Sequence, residues 1–246
     1  MGANLQPPFI NGYTYLNESY NNSLDQIVGS LSAITPQPPT IENLNSVLVE
    51  VIEKQYFNLA KPSFDQSQQL NSILGNIFNA YVGPQNPLVI NNFSDKQIFI
   101  IRQIISGIGY NCMNNPNSAE NYFVLIQENI ATSGLTTTEQ APLLQAVAIA
   151  YVTYQYFYSQ IISPSTEWAN YINSNSAINF INFPRWIQVA FKGALIGSTQ
   201  SIQVTPTTSI QGIGVGYNLI TTYAGGLATT FGEIIFGWVE RPIQGL

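Results

Sequence analysis

The chain has 246 residues, enough to bury a sizeable core, and 45% of them are hydrophobic while only 8% are charged. Its seven basic residues (Lys54, Lys61, Lys96, Arg102, Arg185, Lys192 and Arg241) are scattered and the net charge is −6. That argues against nucleic-acid binding, which needs clustered Lys and Arg, and against charge-driven attraction to anionic lipid. With no His and a single Cys, Cys112, the chain lacks the materials for structural zinc, an intramolecular disulfide, or a Ser–His or Cys–His pair.

The missing charge is replaced by neutral polar groups; Asn alone occurs 26 times. A surface of this kind lacks the repulsion that keeps proteins apart, and it suits contact with copies of the same chain. Residues 1–22 carry Pro7, Pro8, Gly12 and many Asn, with Tyr13, Tyr15 and Tyr20 interleaved. They read as an irregular N-terminal arm. The first residues have no basic and no apolar region, so no signal peptide is expected there.

A helical domain is expected over 23–186. Leu24, Ile27, Val28 and Leu31 share one face at helical spacing. The Pro-rich run at 36–39 ends that helix. Thr40 is placed to cap the next, with Ile41, Leu44, Leu48, Val51 and Ile52 as its stripe. A third carries Leu70, Ile73, Leu74, Ile77 and Tyr81. Ser94 and Gln97 fit a capping box for a fourth, with Ile98, Ile101, Ile105 and Ile108 following and Gly107 and Gly109 marking its end. Asn117 is read as the cap of a fifth, lined by Tyr122, Leu125, Ile126 and Ile130 and terminated by Gly134.

Thr136 and Glu139 fit a second capping box, which opens the longest pattern. Leu143, Val147, Ala150, Tyr154, Phe157 and Ile161 form its stripe, and the opposite side is also largely apolar. A helix apolar on most sides is buried centrally or shared between subunits, so this one is expected to be the core helix.

From 187 to 246 the composition changes to a glycine-rich, apolar segment, expected as a helical hairpin or as partly β. No charged residue occurs in the 40 positions from Gly193 to Gly232. Gly193–Gly197 and Gly212–Gly216 both fit G-x-x-x-G, a close-packing pattern of membrane helices. Ile210–Val239 is long enough to span a bilayer, but its Thr residues and Glu233 make a constitutive span costly. Gly212-x-Gly214-x-Gly216 does not make a dinucleotide fingerprint, because position 217 is Tyr, and no Walker A sequence occurs.

Gly134-Leu135-Thr136-Thr137-Thr138-Glu139-Gln140-Ala141-Pro142-Leu143-Leu144, continuing to Tyr156-Phe157, resembles a pattern in uncharacterised helical proteins of Bacteroidota. Trp168, Pro184-Arg185-Trp186 and the glycine-rich tail look like the remainder of that arrangement. The resemblance spans residues from about 130 to 246; Tyr156-Phe157 stands in place of a Tyr-Trp, and the tail has more Thr and Tyr. The Ile-, Tyr-, Asn- and Thr-rich composition also resembles virion proteins of archaeal viruses. Neither resemblance implies catalytic residues.

The sequence therefore predicts a mainly α fold, a bundle of about six helices followed by the glycine-rich segment, with no catalytic residue, metal or cofactor. The expected function is a non-enzymatic, self-assembling structural protein, such as an extracellular filament, sheath or virion coat. Its partner is itself. The rival expectation is a membrane-active secreted toxin or bacteriocin-like protein whose glycine-rich tail enters a bilayer. The residues expected at interfaces are Tyr13, Tyr15, Trp186, Gly193, Gly197, Gly212, Gly216 and Trp238. Each also has a plain core or turn reading.

Overall fold

A computed structural model describes residues 10–34, 39–56, 64–82, 92–114, 116–163, 165, 168–171, 183–200 and 218–236. These are almost wholly helical, and no strand occurs among them. The helices are α1 (Ile10–Ser32), α2 (Ile41–Tyr56), α3 (Phe64–Val82), α4 (Asp95–Asn114), α5 (Pro116–Ala131), α6 (Thr137–Ile162), α7 (Phe183–Ser198) and α8 (Asn218–Phe236). A single helical turn lies at 168–171.

The local signals act where the sequence places them. Thr40 accepts from Asn43 N at 3.2 Å, and Asn43 Oδ1 returns to Thr40 N at 3.1 Å. Ser94 and Gln97 cap α4 reciprocally, and the Gln97 amide also donates to the Glu139 carbonyl at 2.8 Å, tying α4 to the start of α6. Thr136 and Glu139 close the capping box of α6. Each satisfies backbone donors that a helix start otherwise leaves unpaired, for about 1 kcal/mol. Pro142 lies in the second turn of α6 and the helix continues through it.

The molecule is organised around α8. Every side chain from Ile220 to Ile234 is buried. α8 packs on α2, α3, α6 and α7, and α7 in turn packs on α3, α4 and α6. The α4–α5 hairpin lies outside this centre, with α4 resting on α6 and α7 and α5 on α6.

Several expectations are corrected. α1 begins at Ile10, so most of the supposed arm is helix. Tyr20 extends the Leu24–Leu31 stripe by one turn and is fully buried, meeting Tyr223 edge-on with ring centroids 5.1 Å apart. Thr153 donates to its hydroxyl at 3.1 Å, and Tyr223 donates to Ser23 Oγ at 2.6 Å, so tertiary contacts override the weak helix propensity of the Asn residues.

Nor do Gly107 and Gly109 end α4, which runs on to Asn114. They are where neighbours cross it: a Cβ on Gly107 would overlap the Tyr122 ring, and one on Gly109 would stand 2.6 Å from the Gln188 amide. α5 starts at Pro116 rather than behind an Asn117 cap, which suits a residue without an N–H at the first helical position. Leu125 and Ile161, expected in the core, are exposed by 52% and 41%.

The boundary expected after Trp186 falls inside α7, and the glycine-rich segment is no appendage. Its described part is helical and supplies the innermost helix pair. Residues 201–217, including those with strand-like alternation, lie outside the described residues.

Candidate functional site

The residues expected at an interface separate into three groups. Tyr13 and Tyr15 fall on the first turns of α1, where only the backbone is described. Gly212, Gly216 and Trp238 lie outside the described residues. Trp186, Gly193 and Gly197 are brought together on α7, but they face this chain's own helices. Trp186 is 2% exposed and packs on Phe157 at 5.0 Å between centroids, in a cluster that continues through Trp168 to Phe231.

The glycines form a seam with α8. A Cβ on Gly225 would overlap the Gly193 carbonyl and stand 3.2 Å from Gly197 Cα. One on Gly197 would overlap the Thr221 carbonyl and stand 3.0 Å from Thr222 Cα. Backbone meets backbone here, which only residues without side chains allow. Thr229 donates across the seam to the Val189 carbonyl at 2.8 Å, so its buried hydroxyl is satisfied.

Beside the seam sit three charges. Arg185 Nε lies 2.6 Å from Glu233 Oε1, and Glu233 is 6% exposed. Lys192, also 6% exposed, interacts electrostatically with both. Burial raises the Glu233 pKa against the opposing pull of Arg185 and Lys192. Burial, reinforced by Arg185, pushes Lys192 down to about 8. The sequence held a signal for this cluster. Lys192 and Glu233 are the two charges that bracket the uncharged stretch, and hairpin formation brings them together.

Accessible features lie elsewhere, on the outer face of α4–α5. The α4 core side is Ile101, Ile104 and Ile108. Phe99 and Tyr110 fall on the opposite side and are exposed by 60% and 72%; Leu125 of α5 is exposed by 52%. The missed signal is that Phe99 and Tyr110 sit three turns apart, off the isoleucine stripe. Between the helices runs an open groove of about 390 Å³, lined by Ile100, Ile104 and Ile126 with Lys96 and Ser133 at one end and Gly107 and Tyr122 at the other. Tyr122 donates to the Gln103 and Ile104 carbonyls at 3.1 Å, which locks the hairpin.

For chemistry the described residues offer little. No group of three or more His, Cys, Asp or Glu is gathered among them. Cys112 is buried, and burial pushes its thiol up to about 12, so it is poor in thiolate. Asp25 accepts from the Tyr156 hydroxyl, which itself accepts from the Trp168 indole, a structural relay between α1, α6 and the turn at 168–171.

No protein-family model, no curated protein and no solved structure matches this chain.

Proposed function

We propose that the protein is a non-enzymatic structural subunit that associates with copies of itself, as a filament, sheath or virion coat subunit does. The observation that carries this reading is the exposure of Phe99 and Tyr110 on α4 and of Leu125 on α5, on a chain with so few charges. Large apolar side chains left in water favour contact with a partner, and a chain with few charges repels a second copy only weakly. A location outside the cell or on a particle belongs to the same proposal. Sedimentation of the full chain over a concentration series tests it. Association that grows with concentration is expected; a monomer throughout would contradict it.

A second reading, a membrane-active protein, draws on the burial of α8 on every side. Among the described residues no helix is long and apolar enough to cross a membrane. That ranks it behind self-association, and leakage from liposomes would reverse the order.

A further inference from the structure

Acid unfolds most proteins by three routes. Paired carboxylates lose their charge, buried neutral histidines gain one, and the remaining cations repel one another. Each route is missing or weak here. The chain has no His. With all 13 acids protonated, seven basic side chains remain in 246 residues. A chain of this length and ordinary composition would carry about 30. Repulsion grows with the square of the charge, so the acid form bears about a twentieth of the usual repulsion.

The structure narrows the first route to one group. Asp25, Glu42, Glu50, Asp95, Glu120 and Glu128 are exposed. Asp25 accepts from the Tyr156 hydroxyl, and it keeps a carbonyl oxygen for that bond when protonated. Among the described residues Glu53 is half-buried, Glu233 is the one carboxylate buried outright, and one ion pair forms, Arg185 with Glu233. Glu233 Oε2 is enclosed without a hydrogen-bond partner. An ionised oxygen costs more in that position than a neutral hydroxyl. Burial accordingly raises the Glu233 pKa above the usual 4.5, against the pull of Arg185 and Lys192 of α7. Among the described residues no titratable group of α2, α3 or α6, the other helices packed on α8, acts on it.

A fold that holds this proton more tightly than the unfolded chain gains stability as pH falls, and the gain is complete below 4.5. Lys192 carries its proton in both states well below pH 8 and adds no dependence in acid. Glu42 and Glu139 pull the other way, because backbone N–H groups and then the Thr40 and Thr136 hydroxyls hold them below 4.5. Both stand in water. The caps that Thr40 and Thr136 give to backbone N–H groups do not titrate at all.

Alkali acts in the opposite sense. Burial pushes Tyr20, Tyr151 and Tyr171 up to about 12, and raises Tyr122 and Tyr154 as well. Above pH 10 the unfolded chain releases protons that the fold keeps, so stability falls.

We infer that the fold is acid-tolerant by construction: as pH falls Glu233 takes up a proton and seats α8 more firmly on α7, and the chain stays packed down to about pH 2 and gives way in alkali. This holds for the single chain and does not depend on self-association.

The test follows the full chain by near- and far-ultraviolet circular dichroism and urea unfolding from about pH 2 to about pH 11, at two protein concentrations to separate folding from association. The near-ultraviolet signal is expected to persist at about pH 2, with a urea midpoint within about a fifth of that at pH 7, and the midpoint at about pH 11 is expected to drop by about half or more. Loss of the near-ultraviolet signal with the helical signal retained at about pH 2 would overturn acid tolerance, since it marks a loosely packed acid state. Glu233→Gln, which carries no titrating proton, is expected to have the higher urea midpoint at pH 7 and the same midpoint as wild type below 4.5. A Gln variant that is less stable at pH 7, or whose difference from wild type does not change with pH, would overturn the part given to Glu233. The wild-type titration decides the rest without any variant.

Discussion

Two helix pairs, α7–α8 and α4–α5, use glycine and charge in opposite ways. In α7–α8, Gly193, Gly197 and Gly225 bring backbones together, and Arg185, Lys192 and Glu233 are drawn toward the interior beside them. In α4–α5, glycines admit side chains, Tyr122 at Gly107 and Gln188 of α7 at Gly109, while Phe99, Tyr110, Leu125, Arg102 and Glu128 are left outside. The close-packing signal of Gly193 and Gly197 is thus consumed within the chain. The surface we propose for contact between copies carries large exposed side chains and no compositional mark.

The comparison breaks most readily at the seam. Gly225→Ala forces a methyl into the Gly193 carbonyl, a backbone atom that cannot turn away. A loss of about 3 kcal/mol in urea unfolding is expected, against a change within about 0.5 kcal/mol for Ser106→Ala on the outer face. A Gly225→Ala chain as stable as wild type would mean that α7 and α8 are not in backbone contact.

Next in size is Arg185→Leu, which leaves the buried Glu233 carboxylate without its nearest cation. About 2 kcal/mol should be lost, below the full buried-pair figure because the Arg185 side chain is 35% exposed. The loss should shrink on acidification, as Glu233 takes up a proton and the cation is no longer needed.

Lys192→Met sharpens the same region with the opposite sign. A lysine whose folded pKa lies near 8, against 10.5 when free, costs stability while it stays charged. The unfolded chain binds the extra proton between those values, so wild-type stability from this group rises with pH across that window. The Met variant should therefore be the more stable by about 1–2 kcal/mol at pH 7, an order-of-magnitude figure, with the advantage fading from pH 8 to 10.5. Tyr20, pushed up to about 12 by burial, works the other way: its contribution is lost as pH rises from 10 through 12, equally in both proteins. A constant difference across pH 7–10.5 would contradict the buried position of Lys192.

The smallest expected effect is on the outer hairpin. Leu125→Asp should leave the unfolding free energy of the isolated chain within about 0.5 kcal/mol, because the side chain is already half in water. Only association should respond.

Much of the fold was legible from local chemistry. Capping at Thr40, Ser94 and Thr136 is written in residues three positions apart, and stripes such as Leu44–Leu48–Val51 follow one period. What was hidden depends on partners distant in sequence. The first half of α1 is Asn- and Tyr-rich, and nothing local announces that Tyr223 and Thr153 await Tyr20. Gly107 resembles a helix stop until Tyr122 is seen to cross it. Gly193 and Gly197 announce close approach but not to what, and α8 answers from within the same chain. Lys192 and Glu233 bracket the uncharged stretch in the sequence, but that the chain folds back to bring them together depends on the packing of α7 on α8.

The claim on which this account depends is that contact between copies runs through α4–α5 and not through the glycine hairpin. Cys112 is buried with its thiol held protonated, which leaves a single engineered cysteine as the reactive site. Spin labels placed in turn at Gln103 on α4 and at Ser46 on α2, both exposed, can be compared by dipolar spectroscopy of the associated protein. The account predicts an inter-copy distance within about two helix diameters, roughly 20 Å, at Gln103 and a clearly longer one at Ser46. A short distance at Ser46 with none at Gln103 would contradict it.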